Sequence, residues 1–476
     1  MAKRNGGIIG PSNVPNPFIA KGVWKLRDAF NYIKAGLWPS PLGYQVNNSL
    51  RFNPGSSDSL SRTQTVTGDR QKFTISMWVK RSAISGSADF FLWSSNDPGA
   101  VKYSSLYFNT DTFTYYDYDT VLTNAITTTQ VFRDVSAWYH VMVAYDSTQA
   151  TSSNRIKLYV NGSQATVTGT YPSLNYNSFA NLSGYGTQVG LQTNGTYFSG
   201  YISEAYLIDG QALTPSSFGQ TDATTGIWTP IAYTGSFGTN GFYLKFANSA
   251  ALGTDSSGNG NTFTANNLTS VDQSTDTPTN NFATFLTLND WNGKSSSQPT
   301  ISEGNLKFSG SGGWLGEQVS SIAMSTGKWY WEITPTTVGL SNLTFGIVNT
   351  NNINENGTRT GSYGYASSGE KWNGATNTAY GATWTANDVI GVAFDATNGT
   401  LDFYKNGTSQ GTAFTGITST SYNAWFMTYN SVGTVNFGSP VVSSNGYTDV
   451  GGFGNFSYQP PSGYYSLCTR TLAALG

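Results

Sequence analysis

Polar and apolar residues alternate with a period of two over most of this chain, in short runs closed by turn formers. Phe73-Thr-Ile-Ser-Met-Trp-Val79 is such a run; Trp138-Tyr-His-Val-Met-Val-Ala-Tyr145, Ile156-Lys-Leu-Tyr-Val160 and Gly200-Tyr-Ile-Ser-Glu-Ala-Tyr-Leu-Ile208 continue the strand-like series. A strand half buried against a core reads this way, because successive side chains point to opposite faces. Asn161-Gly162 and Asp209-Gly210 close two of these runs. Both pairs tolerate the positive φ that a tight hairpin needs. The pattern predicts an antiparallel sandwich over residues 46–225. Gly327-Lys-Trp-Tyr-Trp-Glu-Ile333, Thr344-Phe-Gly-Ile-Val348, Asp388-Val-Ile-Gly-Val-Ala-Phe394 and Leu401-Asp-Phe-Tyr404, the last followed by Lys405-Asn406-Gly407, predict a second over 291–440. The expected fold is all-β, with two tandem antiparallel β-sandwiches behind a short N-terminal arm.

The pattern changes outside these blocks. In residues 1–45, Pro11, Pro15 and Pro17 favour an extended start. Val23, Leu26, Phe30 and Ile33 then recur at helical spacing, ending before Gly36, with Trp24 and Trp38 on either side. A helix this short is marginal alone in water and needs a partner surface. That surface is either the chain's own sandwich or a dock, with Val23, Trp24, Leu26, Phe30 and Ile33 as the attachment residues. Residues 226–290 read as a connector with a strand-like Phe242–Phe246, a polar turn cluster Asp255–Asn261 and a loop from Asn266 to Asn280. Residues 441–476 form a Gly-, Tyr- and Pro-containing tail, expected to pack back on a sandwich or a neighbouring subunit.

Composition narrows the function classes. Charged residues are only 11% of the chain, beside 54 Gly, 29 Tyr, 27 Phe and 13 Trp. Such a surface is solvated by hydroxyls and amides more than by ions. Residues 1–40 hold Lys3, Arg4, Lys21, Lys25, Arg27 and Lys34 against Asp28, a net +5, so the remainder carries −7 of the total −2. A short basic arm rich in Pro and Gly suits docking on an acidic partner better than nucleic acid, which needs a larger basic face. One cysteine (Cys468) and one histidine (His140) exclude an internal disulfide, a multi-Cys metal site and a His-based zinc site. No apolar run is long enough to span a membrane, and Met1 to Gly10 lacks the apolar core of a signal peptide.

Catalytic patterns are sparse. A glycosidase needs two carboxylates about 5 to 10 Å apart across a cleft. The nearest pair, Glu204 and Asp209, lies on opposite faces of a regular strand. No Gly-x-Ser-x-Gly elbow or Gly-Lys-Ser/Thr phosphate loop occurs. Asp255 to Asn261 lacks the carboxylate string and terminal Glu of an EF-hand and reads as a turn. Sugar binding asks for aromatic faces beside amides. Two segments, both expected as loops, offer them: Tyr115, Tyr116 and Tyr118 in the first block, and Tyr363, Tyr365, Trp372 and Asn373 in the second. The competing assignment is cross-strand and core packing, common in aromatic-rich sandwiches.

Trp78, Trp138-Tyr139-His140-Val141, Tyr145-Asp146, Leu158-Tyr-Val-Asn-Gly162 and Gly200-Tyr-Ile-Ser-Glu204 together resemble a laminin-G-like, concanavalin A-like domain. That resemblance implies a jelly-roll sandwich that binds glycans or proteins, sometimes with a rim-bound calcium, and gives His140 a structural strand position. Gly327-Lys-Trp-Tyr-Trp-Glu-Ile333, Phe345-Gly-Ile347, Gly364-Tyr365, Trp372-Asn-Gly374, Asp388-Val-Ile-Gly391 and Leu401 to Gly407 resemble a SPRY (B30.2-like) domain, which implies a non-catalytic partner-binding sandwich. The whole order, with Gly6-Gly-Ile-Ile-Gly-Pro11, Gly22-Val-Trp24 and Asp209-Gly-Gln-Ala-Leu-Thr-Pro215, resembles structural proteins of tailed bacteriophages. It implies a virion surface protein, a tail or head fibre, anchored to other virion proteins through residues 1–45. Such a protein would face a host-surface glycan or protein as a homo-oligomer, with a trimer favoured. A purely structural decoration or spacer protein is the alternative.

Overall fold

The structure, a computed structural model, describes residues 27–28, 31–32, 43–84, 90–99, 101–192, 195–287, 298–310, 316–339, 343–352, 361–374, 376–418 and 421–475. Arg27, Asp28, Asn31 and Tyr32 are helical. The attachment residues Val23, Trp24, Leu26, Phe30 and Ile33 lie outside the described residues.

Two sandwiches follow one another, and every strand pair within them is antiparallel. The first sheet of the first sandwich runs, in spatial order, Ser163–Gln164, Ile156–Val160, Trp138–Asp146, Lys72–Arg81, Gly200–Asp209, Ser49–Phe52 and Gln273–Ser274. Its facing sheet runs Val167–Thr170, Val121–Val131, Thr112–Asp119, Lys102–Asn109, Phe90–Asn96, Gly186–Val189, Ser59–Thr63 and Thr264–Asn266. Phe73, Ile75, Met77 and Val79 alternate into the core between them, against Val141, Val143, Leu106, Phe108 and Tyr115. Fully burying a side chain of this size contributes roughly 1.5–3 kcal/mol, so the alternating face drives the assembly.

The second sandwich pairs a sheet ordered Thr300–Ser302, Lys307–Ser309, Val432–Asn436, Lys328–Thr337, Ile390–Asp395, Thr400–Lys405 and Thr408–Phe414 with one ordered Gly316–Met324, Tyr422–Thr428, Thr344–Asn349, Ser362–Ala366, Glu370–Asn373 and Thr376–Ala379. Trp329, Trp331, Ile333, Phe345, Ile347, Val392 and Phe394 fill the space between. The two predicted Asn-Gly hairpins have the required backbone. Asn161 and Gly162 sit at φ 46° and 80°, Asn406 and Gly407 at 49° and 76°. A Cβ on Gly162 would also meet the Trp228 ring at 2.5 Å. Gly162→Ala is therefore expected to lower stability by about 1–3 kcal/mol, read as a shifted urea midpoint; an unchanged midpoint would show that the turn relaxes freely.

The expected connector is built into the first sandwich. Phe242–Leu244 pairs with Gly200–Asp209, Thr264–Asn266 with Ser59–Thr63, and Gln273–Ser274 with Ser49–Phe52. Phe242, Leu244, Phe246, Leu252 and Phe263 are buried in the first core. The loop expected at 266–280 contains a short 3-10 helix, Ser270–Asp272, closed by a Thr269–Asp272 capping box. Strands of two or three residues leave no detectable period, so their pairing depends on neighbours supplied by distant sequence.

The second unit extends beyond 291–440 at both ends. Ala283 and Phe285 belong to its core, as do Val441 and Leu467. Within the tail, Phe456 and Tyr464 cluster with Tyr330 and Ala393, and a short helix, Thr469–Leu475, ends the described chain. Glu332 holds this tail: its carboxylate accepts from the backbone N–H of Ser457 at 2.8 Å and of Tyr458 at 2.9 Å. Burial raises its pKa despite those donors. Removing a charged acceptor that satisfies buried donors costs about 1.5–3 kcal/mol. Glu332→Ala should accordingly speed hydrogen exchange at Ser457 and Tyr458 before the core strands respond.

Candidate functional site

The segment Tyr115–Tyr118 is strand, within Thr112–Asp119, and alternation divides its tyrosines between two faces. Tyr115 is fully buried in the first core, its ring tilted against those of Phe73 and Tyr145. Asp117 points the same way and is also fully buried. Its carboxylate accepts from Asn124 Nδ2 at 3.1 Å and from the hydroxyls of Ser104, Ser178 and Tyr115. Burial raises its pKa against those four donors.

Tyr116 and Tyr118 point to the opposite face, where a row of rings crosses three strands. Phe91 stacks on Tyr107 at 4.8 Å, Tyr107 and Tyr103 meet Tyr116 edge-on at 5.2 and 5.6 Å, and Tyr103 stacks on Tyr118 at 4.9 Å. Gln192 Nε2 donates to the Tyr116 hydroxyl at 2.8 Å. Tyr116 is only 9% exposed, whereas Tyr103, Tyr107 and Tyr118 are half-buried. The reachable rings of this row are therefore those three. Lys102 and Asp119 border it and pair with each other at 3.0 Å, while Val101, Val121 and Leu122 stand exposed at its end. Tyr103 and Tyr107 went unnoticed in the sequence, although their spacing of four within one strand already put them on one face.

In the second sandwich the expected quartet also lies on strands and divides. Tyr363 pairs with Asn373, Gly364 with Trp372, and Tyr365 with Lys371. Tyr365 is fully buried among Trp384, Phe403 and Tyr380, and its hydroxyl donates to the carbonyl of Ala382. Tyr363 is half-buried against Phe414 and Tyr422. Trp372 packs on the other face over Val319, Val348, Trp425 and Met427. Asn373 is exposed at the strand end. The four residues thus form no single patch: Tyr363 and Trp372 are half-buried on opposite faces, and Asn373 alone is exposed.

The remaining candidate chemistry is occupied. His140 is fully buried; its Nδ1 accepts from Trp228 Nε1 at 3.1 Å, which leaves Nε2 to donate to Ser76 Oγ at 2.8 Å. Burial pushes its pKa down to about 3. Glu204 sits in a β-bulge at φ 50° and accepts from Tyr44, Tyr206 and Tyr243 at 2.7–2.8 Å. Asp209 instead caps Asp69 N, Asn240 N and Asn181 Nδ2. Glu204 and Asp209 therefore belong to separate networks. For the calcium implied by the laminin-G resemblance, the described residues assemble no group of three His, Cys, Asp or Glu side chains able to hold a metal. Both Asp255 oxygens already accept hydrogen bonds from Tyr243 N, Ser257 and Asn261 N. The turn does not fit the ion.

Comparison with known proteins agrees with both folds. Residues 54–217 match the concanavalin A-like lectin/glucanases superfamily, and residues 328–440 match the SPRY domain. A stretch of 94 residues is 36% identical to the E3 ubiquitin-protein ligase RKP of Arabidopsis thaliana, covering 19% of this chain and 7% of that protein. Among solved structures, the SPRY domain of human HERC1 aligns at 17% identity over 29% of this chain and 91% of its own, with a TM-score of 0.27. The heptameric SAP-like pentraxin of Limulus polyphemus aligns at 18% identity over 36% and 80%, with a TM-score of 0.28. The chain carries a concanavalin A-like domain followed by a SPRY domain, two folds that point to a binding or protein-interaction role.

Proposed function

We propose that this chain is a non-catalytic surface protein of a bacteriophage particle, a tail or head fibre that presents its first sandwich to a host-surface glycan or protein. The observation that carries the binding part is the row of Tyr103, Tyr107 and Tyr118. Half-exposed rings, with the bordering charges paired to each other, suit the apolar faces of an uncharged sugar. The particle assignment is supported by the sequence resemblance around residues 6–11, 22–24 and 209–215 and by the low charge content. Attachment to other virion proteins through residues 1–45 and a trimeric state complete the reading. Repetition on a particle lets weak single contacts suffice.

The test is adsorption of particles carrying Tyr103→Ala with Tyr118→Ala. Losing two stacking rings should weaken single-site binding by about tenfold or more, and avidity enlarges that loss on cells. Wild-type particles should adsorb equally at low and high salt, since the charges bordering the face are paired with each other. Normal adsorption by the double variant would sink the tyrosine face as the contact surface. A chain absent from purified particles would sink the virion assignment.

A further inference from the structure

Three side chains meet where the first sandwich joins the segment leading into the second. Lys80 is the penultimate residue of the strand Lys72–Arg81, while Asp276 and Asn281 come from sequence 196 and 201 positions away. Lys80 and Asp276 are each 1% exposed. Lys80 Nζ donates to Asp276 Oδ2 at 2.8 Å, to Asn281 Oδ1 at 2.7 Å and to the carbonyl of Phe282 at 3.0 Å. Tyr201 lies under the ammonium, 5.8 Å from ring centre to Nζ. We propose that Lys80 and Asn281 are joined by an intramolecular isopeptide bond, formed autocatalytically with Asp276 as the acid–base.

Geometry assigns each group a part. Asp276 is fixed: its Oδ1 accepts from Trp138 Nε1 at 3.0 Å and from the backbone N–H of Phe282 at 3.3 Å, leaving Oδ2 to face Nζ. The Asn281 amide is fixed as well, because its Nδ2 donates to the carbonyl of Ser136 at 2.8 Å. That bond turns Oδ1, and Cγ with it, toward Lys80 and sets Nδ2 as the group that leaves. Holding the reacting groups in contact replaces a bimolecular encounter with an intramolecular one.

The step balances without redox. Nζ passes one proton to Asp276 Oδ2, and the freed lone pair attacks Asn281 Cγ. The tetrahedral centre collapses with cleavage of Cγ–Nδ2. A second Nζ proton and the one held by Asp276 leave with Nδ2 as ammonium, and the third stays on the new amide nitrogen. Asp276 ends as the carboxylate it began as. Asn281 is half-buried, so the ammonium has a route to solvent. With a single cysteine the chain has no internal disulfide available, and this bond closes a comparable long loop.

The test is intact-mass spectrometry of the full-length, denatured protein. The expected mass is one ammonia below that calculated from the sequence, and a protease digest should yield one branched peptide containing both Lys80 and Asn281. Asn281→Ala leaves the Lys80–Asp276 pair in place and should restore the calculated mass of the variant; Asp276→Asn should do the same by removing the base. A wild-type chain at its full calculated mass would overturn the proposal. So would loss of one water, which marks an amide between Lys80 and Asp276, or an ammonia loss that persists in Asn281→Ala.

Discussion

Asp276→Ala is expected to be the most destabilising polar substitution in the molecule, by about 3–5 kcal/mol. The variant leaves the buried Lys80 ammonium with the Asn281 and Phe282 oxygens as acceptors and no counter-ion at hydrogen-bond distance. Trp138 Nε1 and the N–H of Phe282 lose their acceptor at the same time. A buried charge without its counter-ion costs several kcal/mol, whereas an apolar replacement of both partners removes the charge altogether. Lys80→Met with Asp276→Leu removes the buried charge as well and should recover only the part of the loss that the unpaired ammonium causes, because the bond to Asn281 is absent from both variants. Urea denaturation followed by tryptophan fluorescence measures both, through the midpoint at unchanged slope. A single variant within 1 kcal/mol of wild type would contradict the buried pair.

His140 provides the second large effect, a dependence of stability on pH. Its folded pKa is lowered to about 3 by burial, against about 6.5 for a free imidazole. Between those values the unfolded chain binds a proton that the folded chain refuses. The contribution of His140 is therefore complete above pH 6.5 and falls as pH drops, by about 1.4 kcal/mol per unit. Asp58 works in the opposite sense: burial, its largest cause, raises its pKa to about 6, so its stabilisation is lost as pH rises through that value. The difference between wild type and His140→Phe isolates the histidine, and that difference should shrink steadily from pH 6.5 to 4. As the only histidine in the sequence, it also gives one imidazole NMR signal, expected to stay in the neutral Nε2–H form throughout. Titration of that signal near pH 6 would refute the buried tautomer.

The turns and the face-to-face alternation were legible because they depend on neighbours in sequence. Asn161-Gly162 and Asn406-Gly407 adopt positive φ through local sterics alone. A period of two states that Tyr115 and Tyr116 face opposite ways, yet leaves open which one faces the core. An apolar-in rule would have turned Asp117 outward. It is inside because Ser104, Asn124 and Ser178, from other strands and a loop, satisfy its oxygens there. The same limit explains the second sandwich, where Tyr365 went into the core and Trp372 to the other face.

The sequence by itself determined the class of fold, the two modules, their two Asn-Gly hairpins and the sparseness of catalytic groups, because each depends on residue type and short spacing; Asp209-Gly210, read the same way, joins no pair of neighbouring strands. Tertiary structure alone decided which tyrosines reach solvent and that the supposed connector completes the first sandwich. It also decided that Lys80, Asp276 and Asn281 meet at the junction. Those outcomes rest on register between strands far apart in the chain, and a shift of one residue reverses every face.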